Sequence, residues 1–190
     1  MTHDIRLYLE TLEWEEISGV EGLKPTQMTN LHFIENSIYF LGGMTDDEVP
    51  GKEDSHLSGA IGKLDLQTLK FEPKIKKLPC SIAATASLYK DGSFYIVGGV
   101  TSAGFSDCVY KVDLKEMKST QALLEKLCEN DINAKGIIEL MSTTCVLTED
   151  GQSIVVFGGS TYQEEINKCF RLDLNRFNEF EGPITKNLIV

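Results

Sequence analysis

The stretch Asp91-Gly92-Ser93-Phe94-Tyr95-Ile96-Val97-Gly98-Gly99 decides the fold. Four consecutive β-prone apolar residues, Phe94 to Val97, suit a strand covered on both faces, because side chains alternate across a strand and each alternate set then meets an apolar layer. Asp-Gly just ahead of the run is a hairpin signal, since both residues tolerate positive φ. Ala83 to Tyr89 supplies the partner strand upstream. The same order occurs twice more. Ile38 to Leu41 precedes Gly42-Gly43, after the segment Met28 to Ile34 and a turn at Glu35-Asn36. Ile154 to Phe157 precedes Gly158-Gly159, after Thr143 to Thr148 and a turn at Asp150-Gly151.

Each Gly-Gly pair is followed by a polar loop and a third short strand ending in Asp-Leu: Gly62 to Leu66, Tyr110 to Leu114, and Phe170 to Leu174. A fourth strand is expected near Phe71, near Met117 and near Phe180. Four antiparallel strands in a unit of about 50 residues make one blade of a β-propeller. The rival is an α/β fold with Gly-Gly as a phosphate-binding turn, which needs a helix directly after the glycines. Neither Met44 to Gly51 nor Val100 to Gly104 is an amphipathic helix. Gly42, Gly43, Gly98, Gly99, Gly158 and Gly159 are therefore read as structural, letting an inner strand turn sharply and neighbouring blades approach closely.

The pattern resembles the Kelch repeat family: an apolar strand, the Gly-Gly pair, a Tyr-x-x-Asp-like segment, and a Trp six residues after the Asp. Phe71 lies six residues after Asp65, Phe180 lies seven after Asp173, and Ser119 holds the position in the second repeat. Trp14 resembles this tryptophan in a preceding, incomplete unit, with Tyr8 where the Asp would be. The family's Arg in the first strand is absent from all three repeats. The resemblance implies an all-β fold, a Kelch-type β-propeller region over residues 1–190. It would have three complete four-stranded blades at about 26–75, 80–122 and 140–182, and a partial blade at about 4–18. Ile184 to Val190 offers one more strand. Three blades make an open arc, either a piece of a longer propeller or a ring completed by another chain. Its exposed apolar faces and sheet edges invite association, so self-association is one expectation.

Composition narrows the function. The 190 residues carry a formal net charge of -11, with only Arg6, Arg171 and Arg176 as arginines. That balance argues against nucleic acid, whose binding needs clustered basic charge, and against an anionic membrane surface. It favours a protein partner with a basic surface. The N-terminal stretch is charged throughout and has no signal-peptide core, and no segment is long and apolar enough to span a bilayer. Five scattered cysteines (Cys80, Cys108, Cys128, Cys145 and Cys169) form no CxxC pair and read as reduced thiols of a cytoplasmic or nuclear protein.

Two long insertions fall in connections that an antiparallel blade places at one end. Met44 to Ala60 carries Asp46, Asp47, Glu48, Glu53 and Asp54 against a single Lys52. The second runs from about Thr120 to Glu139, and Ala122 to Cys128 within it has helical spacing, predicting a short helix that offers Leu123, Leu124 and Leu127. These eight residues are the candidate partner-binding set, against the plainer readings of a solvated loop and a plug on the blade.

No catalytic constellation, metal site or cofactor motif emerges. His3, His32 and His56 are widely separated, and there is no HExxH, CxxC or nucleophile elbow. His32, on a predicted strand, reads as packed or hydrogen-bonded. His56 with Glu53 and Asp54 reads as solvated polar residues rather than a cation site. Pro50-Gly51-Lys52 lacks the leading Gly and the following Ser/Thr of a phosphate loop. The leading expectation is a non-enzymatic intracellular interaction scaffold that uses the loop face. The alternatives are a mutarotase- or epimerase-like enzyme with a site at the propeller axis, and a structural subunit of a larger assembly.

Overall fold

The computed structural model describes residues 4–17, 20, 22–23, 26–45, 56–116, 119–123 and 140–180. The architecture is all-β: several small antiparallel sheets, none closed on itself, and no α-helix among the described residues. A hairpin comes first, β1 (Asp4–Tyr8) against β2 (Glu13–Ile17). Tyr8 closes over it, donating its hydroxyl to Glu15 Oε2 at 2.7 Å.

Three main antiparallel sheets follow, alike in the order of their first three strands. The first holds β4 (Asn30–Ile34), β5 (Ser37–Leu41), β7 (Ala60–Asp65) and β8 (Lys70–Lys77), in that spatial order. Two short strands, β3 (Thr26–Gln27) and β6 (Met44–Thr45), pair with each other at one end of it. In the second unit β9 (Ile82–Ala83), β12 (Val100–Thr101) and β13 (Gly104–Phe105) form the small end sheet. Its main sheet is β10 (Ala86–Lys90), β11 (Ser93–Val97), β14 (Cys108–Asp113) and β15 (Ser119–Leu123). The third has β16 (Thr144–Leu147), β17 (Ser153–Phe157) and β18 (Cys169–Asp173). The β10–β11 turn shows the chemistry its sequence requires: Asp91 and Gly92 both hold positive φ, at 50° and 80°.

Two expectations need correction. The third unit has no fourth strand near Phe180 among the described residues; Leu174–Phe180 is a 3-10 helix instead. In a 3-10 turn residues three apart share a side. Leu174 and Phe177 have that spacing, and both are buried in the core, with the Phe177 ring edge-on to Tyr95 at 5.7 Å. Nor does a helix begin at Ala122. Thr120, Ala122 and Leu123 belong to β15, where Ala122 sits opposite Val109 and is buried. The ladder to β14 outweighs the helical spacing. Leu124, Leu127 and the rest of 124–139 lie outside the described residues.

The main sheets stack face to face, with a core on each side of the second. Phe94 and Ile96 of β11 join Leu41 and Ile61 of the first sheet in one cluster, together with Tyr110 and Val112. Tyr95 and Val97, alternating with them, join Ile154, Val156, Phe170 and Leu172 of the third sheet in the other. The uninterrupted apolar run of β11 is thus explained by burial on both faces. Lys76 of β8 adds a polar tie between sheets, its ammonium donating to the carbonyls of Asp113 and Glu116. Desolvation pulls its pKa down, while Asp113 and Glu116 oppose that shift.

Candidate functional site

The two ends of the stack differ. One end holds the hairpin turns and the turns after β7, β14 and β18. There Asp65 Oδ1 accepts the amides of Gln67 and Thr68, Asp113 Oδ1 those of Lys115 and Glu116, and Asp173 Oδ1 that of Asn175, all between 2.7 and 2.9 Å. These backbone donors hold the Asp65 and Asp113 carboxyls below the usual carboxylate range. The aspartate of each Asp-Leu pair is therefore a turn former, and this end is sealed by local bonds.

The other end carries the Gly-Gly turns and the crossings from sheet to sheet. The segment leaving β8 runs over the first pair: Gly43 N–H donates to the Ile82 carbonyl at 2.9 Å, and Ile82 N–H to that of Ser58 at 3.1 Å. The segment entering β16 repeats this over the second pair, Gly99 N–H to the Leu140 carbonyl at 2.6 Å and Leu140 N–H to Ser106 at 3.2 Å. Such close backbone passage requires glycine. A Cβ on Gly98, at φ +61°, would run into the Leu140 carbonyl, and one on Gly99 would lie 2.7 Å from the Ala83 oxygen. Gly42 and Gly43 stand in the same relation to Ile82 and to Thr26–Thr29. Gly159 meets Thr143 and Met141, whereas Gly158 has only the Ile166 oxygen, at 3.6 Å.

Both long insertions root at this end. Met44 bridges Leu57, Thr45 N–H donates to the His56 carbonyl at 2.7 Å, and His56 Nδ1 lies 3.1 Å from the Thr45 carbonyl. The loop's carboxylates Asp46, Asp47, Glu48, Glu53 and Asp54 lie outside the described residues, as do Leu124 and Leu127. Leu123 is the last residue of β15, opposite Cys108, whose carbonyl accepts the Gly98 amide at 3.0 Å. Trp14, expected as a structural residue, lies on β2, is 65% exposed and belongs to neither core cluster.

An aromatic pair at the same end escaped the sequence reading. The rings of Phe105 and Tyr162 stack with centroids 3.8 Å apart and planes 6° from parallel, and Phe105 N–H donates to the Tyr162 hydroxyl at 3.0 Å. Tyr162 is 62% exposed. The pair ties half-buried Phe105 of β13 in the second unit to the connection between β17 and β18 in the third. Nothing local in the sequence marks it, since each aromatic sits alone in a polar loop.

The first strands β4, β10 and β16 are each the edge strand of their sheet, and β10 lies against both β4 and β16. His32 Nε2 is 2.7 Å from Ser87 Oγ, its ring is 5.1 Å from that of Phe94, and burial pulls its pKa below 6.5. Asn30 Nδ2 donates to the Thr85 carbonyl at 2.9 Å. Among the described residues no group of three or more His, Cys, Asp or Glu forms a metal-binding cluster. Burial, first among the causes, and the neighbouring Asp107 push the Cys108 thiol up to about 12, and burial alone pushes Cys145 to about 11. Thiols so shifted are poor nucleophiles. No helix of the described residues is long and apolar enough to cross a membrane. Neither a protein-family model nor a curated protein sequence matches the chain.

Proposed function

We propose that the chain is a Kelch-type β-propeller segment, without catalytic activity or cofactor, that serves as an intracellular protein-interaction scaffold. The repeated Gly-Gly crossings, the aspartate-capped turns and the face-to-face order of like sheets support the propeller reading. The partner docks at the Gly-Gly end. The observation that carries this is the Phe105–Tyr162 stack, with Tyr162 exposed and Phe105 half-buried, standing where both long insertions root. Rigid aromatics on a fixed scaffold are the usual anchors of protein interfaces, because little side-chain entropy is lost on contact. The acidic loop adds long-range attraction for a basic partner surface, acting mainly on the association rate and weakening with salt.

Two variants test this against the partner captured by the wild-type chain. Tyr162→Ala should speed dissociation by about tenfold or more, the loss of one aromatic anchor. Neutralising Asp46, Asp47 and Glu48 together should slow association at low salt and leave it unchanged at high salt. Asp91→Asn, at the opposite end, serves as the control. Equal losses from both ends, or none from either, would sink the assignment.

A further inference from the structure

The chain has two Asp-Gly pairs, and each closes the hairpin between the first two strands of a main sheet. The two carboxylates are held very differently. Asp150 is fastened on several sides: its Oδ1 accepts the Thr148 hydroxyl at 2.6 Å and the Gln152 amide at 3.0 Å, and its Oδ2 lies 3.7 Å from Arg171 Nη2. The nitrogen that follows it is engaged as well, the Gly151 amide donating to the Thr148 carbonyl at 2.8 Å. Asp91 is freer. Its side chain is 80% exposed and meets the Lys90 ammonium, which sits on a flexible stem. Among the described residues the Gly92 amide donates to no group. A Cβ placed on Gly92 would meet none of them within 4 Å, and glycine brings no side chain of its own to shield that nitrogen.

We infer that Asp91-Gly92 is a site of spontaneous backbone isomerisation, aspartate to isoaspartate, and that Asp150-Gly151 is protected from the same reaction by its hydrogen bonds. The Gly92 nitrogen attacks Cγ of the protonated Asp91 carboxyl. The N–Cγ bond forms, the Cγ–OH bond breaks, and the hydroxyl leaves with the amide proton as water. Water then adds to the five-membered succinimide. Breaking the bond from nitrogen to Cγ restores aspartate. Breaking the bond from nitrogen to the Asp91 main-chain carbonyl carbon leaves the chain running through Cγ, with the carboxyl displaced to the side. One water leaves and one returns, so no oxidant, reductant or cofactor enters. At Asp150 the same ring can close only after the carboxyl and the Gly151 amide give up their partners. The place of the product gives it consequence. Isoaspartate adds one carbon to the main chain between Lys90 and Ser93, which face each other across the turn, and the Gly92 carbonyl accepts the Leu114 amide at 2.9 Å. β11 begins at Ser93 and contributes to both core clusters. The inference rests on this turn alone and is separate from the loop-end reading of function.

The purified full chain, held folded at pH 6 for several weeks, can be mapped by mass spectrometry with fragmentation that tells isoaspartate from aspartate. Isoaspartate should accumulate at Asp91 at least about tenfold faster than at Asp150. In guanidinium chloride, where both turns are undone, the two rates should converge. Asp91→Glu keeps the charge but would need a six-membered ring, and should leave position 91 unmodified. A carboxyl methyltransferase that recognises isoaspartate, supplied with a sulfonium methyl donor, should label the aged wild-type chain and not aged Asp91→Glu. Equal rates at Asp91 and Asp150 in the folded chain overturn the inference. So does a folded chain that stays unmodified at Asp91 while the unfolded chain converts.

Discussion

The amide of Ser142 donates to the carbonyl of Ala84 at 2.8 Å, and both residues hold left-handed backbone, at φ 53° and 52°. The bond repeats one unit earlier, where the Ala84 amide donates to Met28, itself at φ 53°, at 3.1 Å. Each unit thus enters its first main strand through a residue in left-handed backbone, and in the second and third units a hydrogen bond to the unit before holds it there. Left-handed backbone costs a non-glycine residue roughly 1–2 kcal/mol. Ser142→Gly relieves that strain at an exposed position and should stabilise the chain by about 1 kcal/mol in urea unfolding. A destabilised variant would show that the Ser142 side chain contributes more than its backbone costs.

Gly98 and Gly158 have nearly the same φ, +61° and +66°, but different surroundings. Alanine at either position incurs the left-handed penalty. Only at Gly98 does the new methyl also strike a backbone carbonyl that is itself hydrogen-bonded. Gly98→Ala should therefore cost about 1–3 kcal/mol more than Gly158→Ala, compared by thermal or urea unfolding. Equal losses would mean that the Leu140 crossing gives way easily.

His32 sets a pH dependence. Burial depresses its folded-state pKa below the unfolded 6.5, so the unfolded chain takes up a proton first as pH falls. The stability that His32 permits is complete above pH 6.5 and is lost as pH drops from there through the folded pKa. One proton gives a slope of at most about 1.4 kcal/mol per pH unit. Urea unfolding between pH 7.5 and 5 should show that decline, and His32→Leu should flatten it. Leucine is the natural choice because Leu88 holds the matching place in β10.

The thiols should separate by reactivity. A pKa of about 12 leaves Cys108 with about 1000-fold less thiolate than an unperturbed thiol near 9.0 would have at the same pH. Iodoacetamide at pH 8 and low protein concentration, read peptide by peptide, should modify exposed Cys169 well before Cys80, Cys145 and Cys108. Cys108 should react only on unfolding. Early labelling of Cys108 would mean that the β14–β15 edge opens readily.

How far the sequence could be read depended on how local each interaction is. The Asp91-Gly92 hairpin and the β11 run were legible because turn chemistry and burial on both faces leave marks on neighbouring residues. The strands expected near Phe71 and near Met117 came from the repetition of the unit, and β8 and β15 lie there, β15 starting two residues after Met117. Phe180 misled because the segment leading to it serves the core from a 3-10 turn, through Leu174 and Phe177, and Tyr95, against which Phe177 packs, is about 80 residues away. Ala122-Leu123-Leu124 has helical spacing, but its first residues were claimed by the ladder to Val109 and Cys108. The Phe105–Tyr162 stack joins two loops 57 residues apart, and neither loop carries any trace of the other.

Because, among the described residues, the second sheet contributes to both core clusters and each outer sheet to one, opening the second requires two cores to come apart. Backbone amides of β11 and β14 should accordingly exchange with solvent deuterium only through global unfolding. Those of β4–β5 and β16–β17 should exchange through smaller, independent openings that begin at the termini of the stack and work inward.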